Sequence, residues 1–182
     1  AQADGARARV AVVIYGIGLC SMLSVSTTYH RWVHSQRARA IWQRADHATI
    51  YAAIGGTVTP FCLIPLGTGR AVTLLVVFWG LAAVGAITKI GAWRNASRVG
   101  TALYVGLGWA GLVLVPPLWE RYGPLPVSLL FFGGVMYTIG AIGFARHWPS
   151  LRPSVFSYHE VWHAFTIAAA SAHLAAVWIV AT

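Results

Sequence analysis

Two histidines, His159 and His163, stand four residues apart in Ser157-Tyr158-His159-Glu160-Val161-Trp162-His163, where an apolar run begins that continues to Val180. On a helix, residues i and i+4 share one face about 6 Å apart, so the two imidazoles can grip one metal ion. A third histidine, His30, ends an earlier apolar run, with Ser26 four residues before it on the same helical face. Asp46 opens the next run. Three neutral imidazoles with a fourth position left for water make a common catalytic zinc arrangement, in which the pKa of the water falls toward about 7. His30, His159 and His163 would be the ligands. Asp46 would hold the metal-bound water or take its proton, and Ser26 could hydrogen-bond the same water or a substrate carbonyl.

The elements that must position these residues are membrane helices. Of the 182 residues 58% are hydrophobic and 9% charged, against about 25% charged in an ordinary soluble domain. Apolar runs of the roughly 20 residues needed to cross about 30 Å of hydrocarbon recur at 9–30, 47–66, 71–91, 99–118, 125–145 and 157–180. They predict an all-α polytopic bundle of six spans, a single membrane unit with little chain left for a soluble domain. The runs are near-continuous, whereas barrel strands alternate over about 10 residues. No cleavable signal peptide is visible, and the start at Ala1-Gln2-Ala3-Asp4, without Met, reads as trimmed.

A formal charge of +9 raises nucleic-acid binding, but the basic residues sit in short connections and form no large patch. They read as topology signals and contacts to anionic lipid headgroups. The first connection (Arg31, Arg37, Arg39, Arg44), the third (Lys89, Arg94, Arg98) and the fifth (Arg146, Arg152) hold nine of the thirteen Lys and Arg. The positive-inside rule puts these three in the cytoplasm and both chain ends outside. His30, Asp46, His159 and His163 then meet at one depth near the cytoplasmic face. Ser26 and His163 lie about a turn deeper than His30 and His159.

Other polar and special residues have plainer readings. His34, His47, His147 and His173 read as interfacial or internally satisfied, and Cys20 and Cys62, without Cys-x-x-Cys spacing, as packing residues. Asp46 could also simply cap its span. Gly55, Gly56 and Pro60 read as close packing and a bend. His159-Glu160-x-x-His163 satisfies the metalloprotease pattern with Glu as base, but no Asp or Glu follows His163 as a further ligand, so the glutamate reads as coincidental.

The combined motifs resemble one family. Ser26-Thr27-Thr28-Tyr29-His30 is similar to the Ser-x-x-x-His of the second transmembrane helix of the hemolysin III and progestin/adipoQ receptor family. Asp46-His47-Ala48-Thr49-Ile50-Tyr51 with Gly56-Thr57-Val58-Thr59-Pro60-Phe61 resembles its third helix, and Tyr158-His159-Glu160-Val161-Trp162-His163 its last. Ala102-Leu103-Tyr104, Gly108-Trp109 and Gly133-Gly134-Val135-Met136-Tyr137-Thr138-Ile139-Gly140 are similar to bacterial hemolysin III sequences. The resemblance implies seven helices, a zinc ion on the three histidines near the cytoplasmic face, and the aspartate bonded to it through water. The first match falls on the family's second helix, so the first helix is expected to be absent here.

The expected protein is thus a multi-pass zinc protein of a bacterial inner membrane, with membrane lipids and no nucleic acid as partners. Its expected activity is hydrolysis of a ceramide-like amide or another acyl lipid, with Asp46 as base and Ser26 assisting. The alternatives are a non-enzymatic lipid sensor in which zinc staples helices together, and a cytolytic protein. The last is disfavoured because no span shows the polar stripe of a water-filled channel.

Overall fold

The computed structural model describes residues 5–91, 96–152 and 155–182. Arg94 of the third connection lies outside them, as does the Ala1 to Asp4 start. Among the described residues the chain is helical without strands: α1 Gly5–Trp32, α2 Gln36–Leu63, α3 Thr68–Ile90, α4 Ala96–Ala110, a 3-10 turn Gly111–Leu114, α5 Val115–Tyr122, α6 Pro124–Ala145 and α7 Tyr158–Ala181. Among the described residues five stretches are long and apolar enough to cross a membrane: Gly5–Trp32, Thr68–Ile90, Ala102–Tyr122, Pro124–Ala145 and Tyr158–Ala181. The all-α membrane architecture expected from the apolar runs is therefore present. The 3-10 turn precedes Pro116 and Pro117, which lack the N–H groups needed to bond the preceding turn in α geometry. Helix continues through these prolines to Tyr122, so the fourth connection shrinks to Gly123.

Two compact units divide the fold, one ending at Leu114 and the other beginning at Val115. In the first, α2 is the central helix, packed by α1, α3 and α4. A Cβ at Gly18 of α1 would lie 2.8 Å from the Ala52 carbonyl oxygen, and one at Gly56 of α2 would lie 3.3 Å from the Ile14 carbonyl, so α1 and α2 cross with backbones nearly touching. Toward α3, Gly55 seats the Trp79 ring, whose Nε1–H donates to Thr59 Oγ1 at 3.1 Å. Tyr51, 1% exposed, lies against Gly85 of α3 and donates its hydroxyl to the Gly100 carbonyl at 2.9 Å. This burial explains why α2 is not among the five apolar stretches. A helix surrounded by protein can carry the Gly and Thr residues that let its neighbours approach.

The start of α2 corrects the sequence reading. Ser35 caps it, accepting the Ala38 N–H at 3.3 Å, and Arg37, Arg39 and Arg44 are already helical. Asp46 is the eleventh residue of α2, not its cap.

In the second unit α6 and α7 pack antiparallel along a small-residue face of α6. Gly133 lies against the His173 ring and the Ala169 carbonyl, and Gly140 against Phe165 and Trp162. Positions i and i+7 share a helical face, so one stripe of α6 meets α7. His173 is half-buried in this seam, with Nε2 3.3 Å from the Leu130 carbonyl oxygen and its ring 5.7 Å from that of Tyr137, in agreement with its reading as an internally satisfied histidine.

Candidate metal centre

Ser157 and Glu160 build the end of α7 that presents the histidine pair. The Glu160 carboxylate accepts the Ser157 backbone N–H at 2.7 Å and the Ser157 hydroxyl, while Ser157 Oγ accepts the His159 N–H at 3.3 Å. This capping box satisfies donors that the first helical turn otherwise leaves open. It fixes the backbone of His159 and engages Glu160 away from the metal-ligand role. One turn on, His163 packs edge-on against His159 at a centroid distance of 4.8 Å. The α6/α7 register also sets Phe144 beside this turn, with its ring 5.4 Å from His159, 5.6 Å from Tyr158 and 6.0 Å from Trp162. Phe144 and His163 on its two sides limit the directions open to the His159 imidazole.

On the first unit, Ser26 is half-buried and His30 exposed, with the Tyr29 ring edge-on to His30 at 4.5 Å. Tyr29 also carries the Arg39 guanidinium 5.8 Å over its ring, a cation–π contact between α1 and α2. Counting about 1.5 Å per residue in opposite directions from the Gly18 and Ala52 crossing brings half-buried Asp46 to within about 3 Å of the level of Ser26. His30 lies about a turn closer to the connection. The aspartate and the serine thus share a depth on the α1/α2 hairpin.

Within the second unit His159 and His163 bring two imidazoles together one turn apart on α7, a pair able to grip a metal ion, and the family resemblance names His30 of α1 as the third ligand. Three imidazoles without thiolate also suit zinc by ligand type. Sequence reading overlooked Ser157, Phe144 and Tyr29. Ser157-x-x-Glu160 was legible as a capping box, whereas Phe144 and Tyr29 carry no spacing signal.

Fold and site together define a multi-pass helical membrane protein with a histidine pair on α7 suited to a metal ion. The model of the family described as haemolysin-III related matches residues 1–174, and the chain belongs to that family. It is 36% identical to Hemolysin-3 of Bacillus cereus over 162 residues, which cover 89% of this chain and 71% of that protein. With the Hemolysin-3 homolog of Bacillus subtilis (strain 168) it shares 32% identity over 163 residues, 90% of this chain and 73% of the relative. The human monocyte to macrophage differentiation factor is 25% identical over 174 residues, 93% of this chain and 70% of that protein. The resemblance carried by the Ser26, Asp46 and His159 motifs is borne out.

Proposed function

We propose that this chain is a zinc-dependent hydrolase of amide-linked, ceramide-like or other acyl lipids, acting as one transmembrane domain in a bacterial inner membrane with its site toward the cytoplasm. The observation that carries the reading is the pairing of His159 and His163 one turn apart on α7, with ring centroids 4.8 Å apart, to which the family resemblance adds His30 as third ligand. When bound there, zinc would supply a Lewis acid able to polarise a carbonyl and acidify water. Asp46, level with Ser26 on the neighbouring helix, accepts the proton of the attacking water. Ser26 donates a hydrogen bond to the carbonyl oxygen of the substrate. Glu160 stays with the cap of α7 and takes no proton. The membrane setting of the site and the family resemblance support a lipid substrate.

The test is Asp46→Asn, which keeps the shape of the side chain and removes its capacity to accept a proton. The variant should retain zinc and lose about 10²- to 10⁴-fold in hydrolysis of amide lipids, while Glu160→Gln remains active. Loss of turnover in Glu160→Gln with Asp46→Asn spared would overturn these assignments. Zinc-loaded wild-type protein that hydrolyses no amide or ester lipid across a broad panel would instead move the reading to a lipid sensor with structural zinc.

A further inference from the structure

The connection between α6 and α7 contributes nothing to the reaction described above, yet its surface is unusual. Trp148, Leu151, Val155 and Phe156 are 69%, 67%, 72% and 39% exposed, and Arg146 and Arg152 between and beside them are exposed as well. Single exposed apolar residues are ordinary, whereas several on one short turn mark a surface that meets a partner.

Backbone hydrogen bonds hold these side chains outward. The Trp148 N–H donates to the Gly143 carbonyl at 2.9 Å and the His147 N–H to the Phe144 carbonyl at 3.2 Å, with His147 at φ 54°. These are the paired bonds of a Schellman cap, so the direction in which Trp148 leaves α6 is set by the helix end. Farther on, the Arg152 N–H donates to the Phe156 carbonyl at 3.0 Å, and the Phe156 N–H returns a bond to the Arg152 carbonyl at 2.7 Å. These bonds fix the backbone of Arg152 and Phe156, beside which Leu151 and Val155 stand.

Position decides the partner. The 22 residues of α6 extend about 33 Å at 1.5 Å per residue, enough for about 30 Å of hydrocarbon, and α7 is also of crossing length. A turn tied at both ends to such helices remains at the bilayer surface. From 146 to 157 it has two arginines and no Asp or Glu. An anionic headgroup layer offers phosphate oxygens to the guanidinium groups and an acyl boundary to the apolar side chains. We propose that the described residues of this connection, 146–152 with 155 and 156, form an interfacial anchor, seating Trp148, Leu151, Val155 and Phe156 at the acyl boundary and binding anionic phospholipid headgroups through Arg146 and Arg152.

The full chain tests this in two ways. Leu151→Cys, in a background with Cys20→Ala and Cys62→Ala, is labelled with an environment-sensitive dye and reconstituted into phosphatidylcholine vesicles with or without phosphatidylglycerol. The dye should be quenched by spin labels carried on the lipid near the acyl boundary and shielded from aqueous iodide. Quenching by iodide alone, as expected if the turn docks a soluble protein, overturns the anchor. The second arm needs no label: native mass spectrometry compares phosphatidylglycerol retained by the wild type and by Arg146→Gln/Arg152→Gln. A basic residue at an anionic surface changes binding about fivefold, so losing two should weaken it about 30-fold. Equal retention by the two proteins, or equal displacement of lipid by inorganic phosphate and by phosphatidylglycerol, overturns the headgroup assignment.

Discussion

At the scale of single residues, Glu160 shows how local hydrogen bonds separate two chemistries that share one sequence pattern. Its carboxylate is bound to Ser157, and Gln can make the same capping box. Glu160→Gln is therefore expected to leave unfolding in detergent nearly unchanged, while Glu160→Ala lowers stability by about 0.5–2 kcal/mol. Zinc content should stay at the wild-type level in both. The histidines behave differently. Elemental analysis of purified protein should give near-equimolar zinc, falling strongly in each of His30→Ala, His159→Ala and His163→Ala. Full occupancy in His30→Ala would remove the three-histidine site from consideration. The candidate ligands were legible because histidine at i, i+4 in an apolar run has few inexpensive explanations. The cap role of Asp46 was not excluded by sequence, because apolarity marks where a helix enters hydrocarbon and not where it begins.

At the scale of elements, α2 makes that distinction concrete. Residues 37–44 read as a loop because they are basic, yet no Gly or Pro interrupts the chain from Ser35 to Ile54, and arginine is a good helix former. Ser35 before Gln36 was the available start signal. Tight helix contacts were only half legible: Gly55 and Gly56 were read as close packing, but their partners Trp79, Ile14 and Gly18 appear only in three dimensions. Gly85→Ala should expose this dependence. Its Cβ runs into the buried Tyr51 ring, which is held by the Gly100 carbonyl, and overpacking of this kind costs about 1–3 kcal/mol. Gly123→Ala should destabilise by a different route. Space around it is open, but φ 73° and ψ −167° belong to a region that is essentially glycine's alone, at a cost of about 1–3 kcal/mol for other residues. Thermal unfolding in detergent measures both, and a neutral Gly123→Ala would contradict this turn geometry.

At the scale of the whole molecule, charge asymmetry predicts orientation. The first connection carries four arginines and the fourth carries Arg121 beside Glu120, so the first is expected on the cytoplasmic side and the fourth on the opposite side. Helix occupies most of the segments read as loops, so probes belong at exposed positions near the helix ends. Gln36, the first residue of α2, and Glu120, on α5, are both exposed. Cysteines placed singly at these positions, in protein lacking Cys20 and Cys62, are expected to react with an impermeant thiol reagent from opposite faces of the membrane. The Gln36→Cys site should label only in inverted vesicles and the Glu120→Cys site only in intact cells. Labelling of both from one face would place the basic connections on no common side. The expectation that the α1/α2 hairpin and the start of α7 present their polar residues to one side of the membrane would then lose its topological basis, and the proposed proton acceptor would be separated from its site.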